Sequence, residues 1–280
     1  GVKDIINVNG CPTRCGSSLP KELFKGPQAS CVSKLLNAGA IFTAKTVTAE
    51  FAVSDPGETR NPRNLSHTPG GSSSGSGASV AAGFCDIAIG TQTSGSVIRP
   101  AGYCGVIGYK PSFGRISRDG VLLFSSSMDH IGIFAKNLNL LEKTLPIIVD
   151  SWSFQKPTPD KEICVGIPEG SYLNLSKPHV LKQYLNTVQR LNKPFQAKKV
   201  EPVIDIENYN RSIDKITFAE LYNVHSVWYS KYKELYRPIS RQTIEAGRNI
   251  SANNLALLLN KAREDQQFLQ RLMIEEGIDI

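Results

Sequence analysis

Up to about residue 175 the apolar positions come in short blocks separated by turn-forming residues; beyond that they recur at helical spacing. The first ten residues, GVKDIINVNG, carry an apolar stretch (Ile5, Ile6, Val8) that ends at a turn. ASCVSKLLNA, residues 29–38, predicts a helix with Gly39 as its C-cap. Ala40 to Ala44 then predicts a short buried strand. Residues 54–78 are dense in Gly, Pro, Ser and Asn and read as a loop, which feeds a helix-like segment from Ala78 to Gly83. Asp86 to Gly90 predicts a buried strand, and a second Gly/Ser loop, GTQTSGS, follows it. Short apolar segments over 103–123 are broken by Gly105, Gly108, Pro111, Gly114 and Gly120, and ICVGI, residues 163–167, predicts another buried strand. Helix-period segments then run over Val180–Leu191, Ile216–Tyr236, Ile239–Gly247 and Asn253–Gly277, with a strand and its approach at 194–206. No repeat is visible. The pattern predicts one α/β domain over 1–280, with 176–280 forming a mainly helical layer on its sheet.

The bulk numbers narrow the class. Hydrophobic residues at 40% and charged residues at 20% support a sizeable core. The net charge of +7 is spread along the chain, which reads as a solvated surface and not as a nucleic-acid footprint. No apolar run of about 18 residues exists, so no membrane span is expected. The six cysteines, Cys11, Cys15, Cys31, Cys85, Cys104 and Cys164, lack zinc-like spacing. They predict reduced, mostly buried thiols in a cytoplasmic protein without a metal. The chain starts at Gly1 without Met or a targeting segment and stops at Gly277-Ile278-Asp279-Ile280, which reads like the start of a strand. Both ends read as cut from a longer chain. Lys3, so near the N-terminus, is therefore expected to be poorly anchored and solvated.

The chemistry centres on GTQTSGSVIRPAGYCGV, residues 90–106. Its bland reading is a strand-to-helix loop; its sharper reading is a set of backbone N–H groups gathered around a nucleophile. None of His67, His130, His179 and His225 is embedded in a motif that pairs it with a serine, and no G-x-S-x-G elbow is present. A Ser-His-Asp hydrolase is poorly supported, which leaves a serine activated by a lysine. Such a lysine must be neutral, so it needs desolvation or a cationic neighbour. Lys3, Ser72 in PGGSSSGS and Ser96 are the candidates, 69 and 24 residues apart.

GVKDIINVNG, AGAIFTAKTVTAEFA, NPRNLSHTPGGSSSGSGASVAAG, IAIGTQTSGSVIRPAGYCGVIGYKPSFGRIS and SSSMDHIGIFAKN occur in this order over residues 1–137. Together they resemble the amidase signature family, and TFAELYNVHSVWYSKYKELYRPISRQTIEAG over 217–247 extends the likeness. The resemblance implies a central mixed β-sheet covered by helices on both faces, and a Ser–cis-Ser–Lys triad. Ser96 would be the nucleophile, Ser72 the bridge, with a cis peptide after Gly71, and Lys3 the base. The backbone N–H groups of Thr93, Ser94, Gly95 and Ser96 would form the oxyanion hole, which explains the small residues there. Ser73 and Ser74 would support the loop, and Lys45 would be structural.

Arg99, three residues after Ser96, stands in SVIRP, whereas in glutaminyl-tRNA amidotransferase A subunits and fatty acid amide hydrolases the arginine comes two residues after the nucleophile. With Gln92 in place of the more common Asp, this form resembles the malonamidase branch. There the arginine can bind a substrate carboxylate; the competing reading, that Arg99 pins the loop, stays open. Ser94 replaces the usual glycine and would be strained if the position needed φ > 0. The implied activity is hydrolysis of a small amide without a cofactor, the amide being carboxylate-bearing on the substrate-binding reading of Arg99. A small-molecule amide is the expected partner, a homodimer is left open, and neither nucleic acid nor membrane is expected. An inactive paralogue or fragment, and an A-type subunit of an aminoacyl-tRNA amidotransferase, are the alternatives.

Overall fold

The computed structural model describes residues 1–54, 57–153, 162–191, 195–202 and 205–280. Its strands are β1 (Val2–Lys3), β2 (Lys45–Thr46), β3 (Ile87–Gln92), β4 (Ile107–Tyr109), β5 (His130–Ala135), β6 (Cys164–Pro168) and β7 (Gln196–Val200). The helices are α1 (Ser30–Asn37), α2 (Ser74–Ala81), α3 (Ile98–Cys104), α4 (Leu138–Ile148), α5 (Pro178–Leu191), α6 (Ile206–Tyr232), α7 (Pro238–Arg248) and α8 (Ala252–Glu275). They fall into two compact units, one of Gly1–Ser153 with Thr217–Asn249 and one of Phe154–Ile216 with Ile250–Ile280.

The first unit holds a mixed five-stranded sheet in the order β2-β1-β3-β5-β4. β1 runs parallel to both β2 and β3, while β5 is antiparallel to β3 and β4. The period-2 pattern of β3 and β5 sends alternate side chains to opposite faces. Ile89, Ile131 and Ile133 join the main apolar cluster, which includes Val32 and Leu35 of α1, Leu141 and Leu145 of α4, and Leu221 of α6. Ala88 and Phe134 face the other way and meet Val80 of α2 and Ala101 of α3. Both faces of this sheet are thereby covered by helices.

Two details position the site. The Gly1 ammonium donates to the Ile87 carbonyl at 2.9 Å, and Val2 pairs with Lys45 on one side and Ile89 on the other. The very start of the chain is thus an inner strand. On the far side, α2 begins as SGSG, and a Cβ added at Gly75 would lie 2.2 Å from the Val47 nitrogen, so only glycine lets the helix backbone rest on the chain just past β2.

The expected buried strand over 40–44 is not present. Those residues are irregular, with Ile41 87% exposed, and pairing starts one residue later at Lys45. Gly39 has φ +89, as a helix-ending glycine should, yet the chain it releases runs over the surface before reaching the sheet.

In the second unit β6 and β7 pair in parallel as a separate two-stranded sheet. Residues 194, 203 and 204 of the predicted 194–206 strand lie outside the described residues. The backbone of 279–280 follows β6: Asp279 N–H donates to the Cys164 carbonyl and the Ile280 carbonyl accepts from Gly166 N–H. All six cysteines are free thiols. Among the described residues no helix is long and apolar enough to cross a membrane.

Candidate active site

Lys3 ends β1 inside the sheet and is fully buried, against the expectation of a solvated, loosely held side chain. The inner-strand position explains the difference, since β2 and β3 flank it on both sides. Its Nζ donates to Ser72 Oγ at 2.9 Å and to Thr91 Oγ1 at 2.7 Å. Burial strips water from the ammonium and lowers the pKa from 10.5 to about 7, with the nearby Asp129 carboxylate opposing the shift. This supplies the condition that a lysine base requires.

Ser72 follows a cis Gly71–Ser72 peptide and is buried, with its carbonyl accepting from Ala49 N–H. Ser73 ties the loop to β3: its hydroxyl donates to the Thr91 carbonyl at 3.1 Å and accepts from Thr91 N–H at 3.3 Å. Ser74 Oγ donates to the Val47 carbonyl at 3.4 Å. Both serve the supporting role expected of them. Lys45 is structural as expected, 2.8 Å from Asp4 Oδ1 and donating to Thr13 Oγ1 at 3.0 Å.

Ser96 is buried at the end of the loop that leaves β3. Its hydroxyl makes no hydrogen bond among the described residues, so the structure joins Lys3 to Ser72 but shows no bond from Ser72 to Ser96. Gln92 shapes the loop. Its Oε1 accepts from the N–H groups of Val97 and Ile98 at 2.8 and 2.9 Å, and its Nε2 donates to the Ser94 carbonyl at 3.2 Å. An aspartate here could accept but could not make that last bond. The staple leaves the N–H groups of Thr93, Ser94, Gly95 and Ser96 without an acceptor among the described residues. Four donors in a row are therefore free for a developing negative charge. Ser94 is not among the non-glycine residues with positive φ, so serine is accommodated there without left-handed strain.

The Arg99 guanidinium donates to the Gly71 carbonyl through Nε at 3.1 Å and Nη2 at 2.9 Å, pinning the peptide that precedes Ser72. Arg99 also borders, with Ser72, Gly70 and Tyr103, a cavity of about 230 Å³ in the first unit.

Three contributors escaped the sequence reading. Thr91 holds the Lys3 amine. Asp129 accepts from the Thr93 hydroxyl at 2.5 Å. Glu220, buried on α6, accepts from Ser126 Oγ at 3.1 Å, Ser127 Oγ at 3.0 Å, Ser127 N–H at 3.1 Å and the Ser125 hydroxyl. Asp129 lies in the SSSMDH run, but nothing in that run tells which strand it faces. His225 is buried with Nδ1 on the Tyr236 hydroxyl, and burial lowers it to about 3. Among the described residues no group of side chains could hold a metal ion.

Comparison with known proteins places this geometry in context. A family model described as Amidase matches residues 1–275. The A subunit of glutamyl-tRNA(Gln) amidotransferase from Prochlorococcus marinus (strain NATL2A) is 41% identical over 170 residues, covering 57% of this chain and 35% of the relative. That of Syntrophus aciditrophicus (strain SB) is 39% identical over 213 residues, covering 68% and 44%. The chain thus spans less than half the length of these relatives. A crystal structure of an amidase aligns with TM-score 0.86 and 26% identity over 98% of this chain and 62% of the other. The structure of 6-aminohexanoate cyclic dimer hydrolase with substrate aligns with TM-score 0.84 over 98% and 64%, and at 22% identity it speaks for the fold alone.

Proposed function

The chain belongs to the amidase family, and on that premise we propose that it cleaves a carboxamide C–N bond through an acyl-enzyme on Ser96. The observation that carries this is the buried Lys3, lowered to about 7 and bonded to Ser72. Neutral Lys3 accepts the Ser72 proton while Ser72 takes that of Ser96, whose unpaired hydroxyl turns toward it by a rotamer change. The Ser96 oxygen attacks the amide carbonyl, and the resulting oxyanion sits among the free N–H groups of residues 93–96. The proton returns through Ser72 to the leaving nitrogen, and ammonia or an amine departs. A second nucleophile then releases the acyl group from Ser96.

For the identity of the amide, the A-type subunit of an aminoacyl-tRNA amidotransferase has the better support, because relatives 41% and 39% identical carry that description. The chain's own part in such an assembly is to release ammonia from an amide donor. The small carboxylate-bearing amide of the malonamidase-like reading has less support, since two Arg99 nitrogens are already engaged by Gly71. Arg99→Ala is expected to lower kcat/KM about tenfold on neutral and carboxylate-bearing amides alike, by freeing the Gly71 carbonyl. A rise in KM confined to carboxylate-bearing substrates would restore the substrate-binding role.

A fluorophosphonate probe tests the proposal. Labelling of the folded protein that disappears in Ser96→Ala, together with ammonia release from a carboxamide, is the expected outcome. Labelling that survives Ser96→Ala sinks it, and a folded protein that neither labels nor releases ammonia is an inactive paralogue. Ammonia release that requires partner subunits and aminoacyl-tRNA marks the amidotransferase, whereas release from small amides by the chain alone marks a free-standing amidase.

A further inference from the structure

We propose that Asp129 is a positioning residue of this site: its carboxylate clamps Thr93, and so the oxyanion loop, while its charge faces Lys3. The inference rests on the Ser96 reading and deepens it.

The sheet register brings the parts together. Gln92, the last residue of β3, pairs with His130, the first of β5. In an antiparallel ladder the next residue on one strand faces the preceding residue on the other, so Thr93 and Asp129 meet just past the last pair. Asp129 is 3% exposed. Oδ1 accepts from the Thr93 hydroxyl at 2.5 Å, and Oδ2 accepts from the N–H groups of Phe124 and Ser125 at 2.7 and 3.1 Å. Behind this turn, Glu220 holds the hydroxyls of Ser125, Ser126 and Ser127, so the segment carrying Asp129 is braced from α6.

An aspartate is a costly choice for holding a turn. All three of its hydrogen bonds come from uncharged donors, and burial raises its pKa. Asparagine or serine could accept the Phe124 and Ser125 N–H groups without burying a charge. The remaining charged neighbours are otherwise occupied. Arg118 reaches the Asp129 carbonyl at 3.4 Å and the Ser126 carbonyl at 2.7 Å, not the carboxylate. His130 sets Nδ1 on the Met128 carbonyl, and Glu220 is taken up by the serines. Lys3 Nζ donates to Thr91 Oγ1 while Asp129 accepts from the Thr93 hydroxyl two residues further along the same chain, and the two opposite charges act on each other. A buried anion here tempers the desolvation of Lys3, so that the amine can both take a proton and give it back near neutral pH.

The test uses the full chain with isotope-labelled lysine. The Lys3 resonance is assigned by its loss in Lys3→Met and titrated by NMR alongside pH profiles of amide turnover. Asp129→Asn keeps the hydrogen bonds, with its amide oxygen on the two N–H groups and the Thr93 hydroxyl turned to accept. It removes only the charge. We expect the Lys3 midpoint, and with it the acidic limb of kcat, to fall by about one pH unit. Thr93→Val is expected to lower kcat about tenfold with KM unchanged, and Thr93→Ser to restore it. A Lys3 midpoint that stays at the wild-type value in Asp129→Asn overturns the charge coupling, and undiminished kcat in Thr93→Val overturns the clamp. If Asp129→Asn fails to fold, Thr93→Val still decides the clamp. Failure of the Ser96 reading is distinguishable, because wild-type turnover would then be insensitive to Ser96→Ala while the Lys3 titration is still read.

Discussion

Lys3→Met is expected to lower kcat/KM by about a thousandfold while leaving the protein folded. Methionine fills the buried channel with an unbranched apolar chain of similar length, so the loss reports the missing base and not a collapsed sheet. Lys3→Arg is expected to be equally inactive, because a guanidinium cannot become neutral at accessible pH. The wild-type profile carries the signature. Lys3 has to be unprotonated to accept a proton, and burial sets its pKa at about 7. Activity therefore rises with pH through about 7, with a single-proton slope, and is lost on the acidic side. Steady-state kinetics between pH 5 and 9 would check this, and a profile with no acidic limb near 7 would show Lys3 to be a bystander.

The second large effect concerns stability. Gly75→Ala places a methyl group 2.2 Å from the Val47 nitrogen and 2.9 Å from its Cα and carbonyl oxygen. These are backbone atoms, and the Gly75 N–H donates to that same carbonyl at 2.9 Å, so neither partner can retreat without breaking the contact. A loss of about 3 kcal/mol in unfolding free energy is expected, read as a lower urea midpoint, with turnover falling as α2 carries Ser72 away from Lys3. Gly102→Ala is the control: it lies in α3 with nothing within 4 Å of the added carbon, and it should be neutral or slightly stabilising. Equal midpoints for the two variants would contradict the close-approach account.

How much of this was legible in the sequence depended on the range of the interaction. Local patterns carried well. The 29–38 pattern became α1 (Ser30–Asn37), Asp86–Gly90 became part of β3, and the amphipathic segments beyond residue 175 became helices. The segment 40–44 misled because a short apolar run cannot say which face of the chain finds cover; Ile41 finds none. The motif run brought Lys3 and Ser72 to one place, but its own logic gave Lys3 too much solvent. Only the parallel pairing of β1 between β2 and β3 reveals that the third residue of the chain is enclosed. Asp129 and Glu220 were illegible for a similar reason. Their partners Thr93 and Ser125–Ser127 lie 36 and about 94 residues away, and only register and helix placement bring them into contact. Arg99 shows the opposite limit: the sequence offers it either a substrate carboxylate or the loop, and only the fold brings the Gly71 carbonyl to its guanidinium.

The uncharged lysine inside the sheet also reaches beyond turnover. In an unfolded chain Lys3 would hold its proton up to about the ordinary lysine value of 10.5, whereas in the native protein it gives the proton up at about 7. Between those limits the unfolded state binds the extra proton, so folding expels one hydrogen ion and alkalinity draws the equilibrium toward the native side. Below about 7 both states hold the proton and this dependence levels off. This enclosed amine therefore makes the protein's hold on its fold, through Lys3, tighten as the medium turns alkaline.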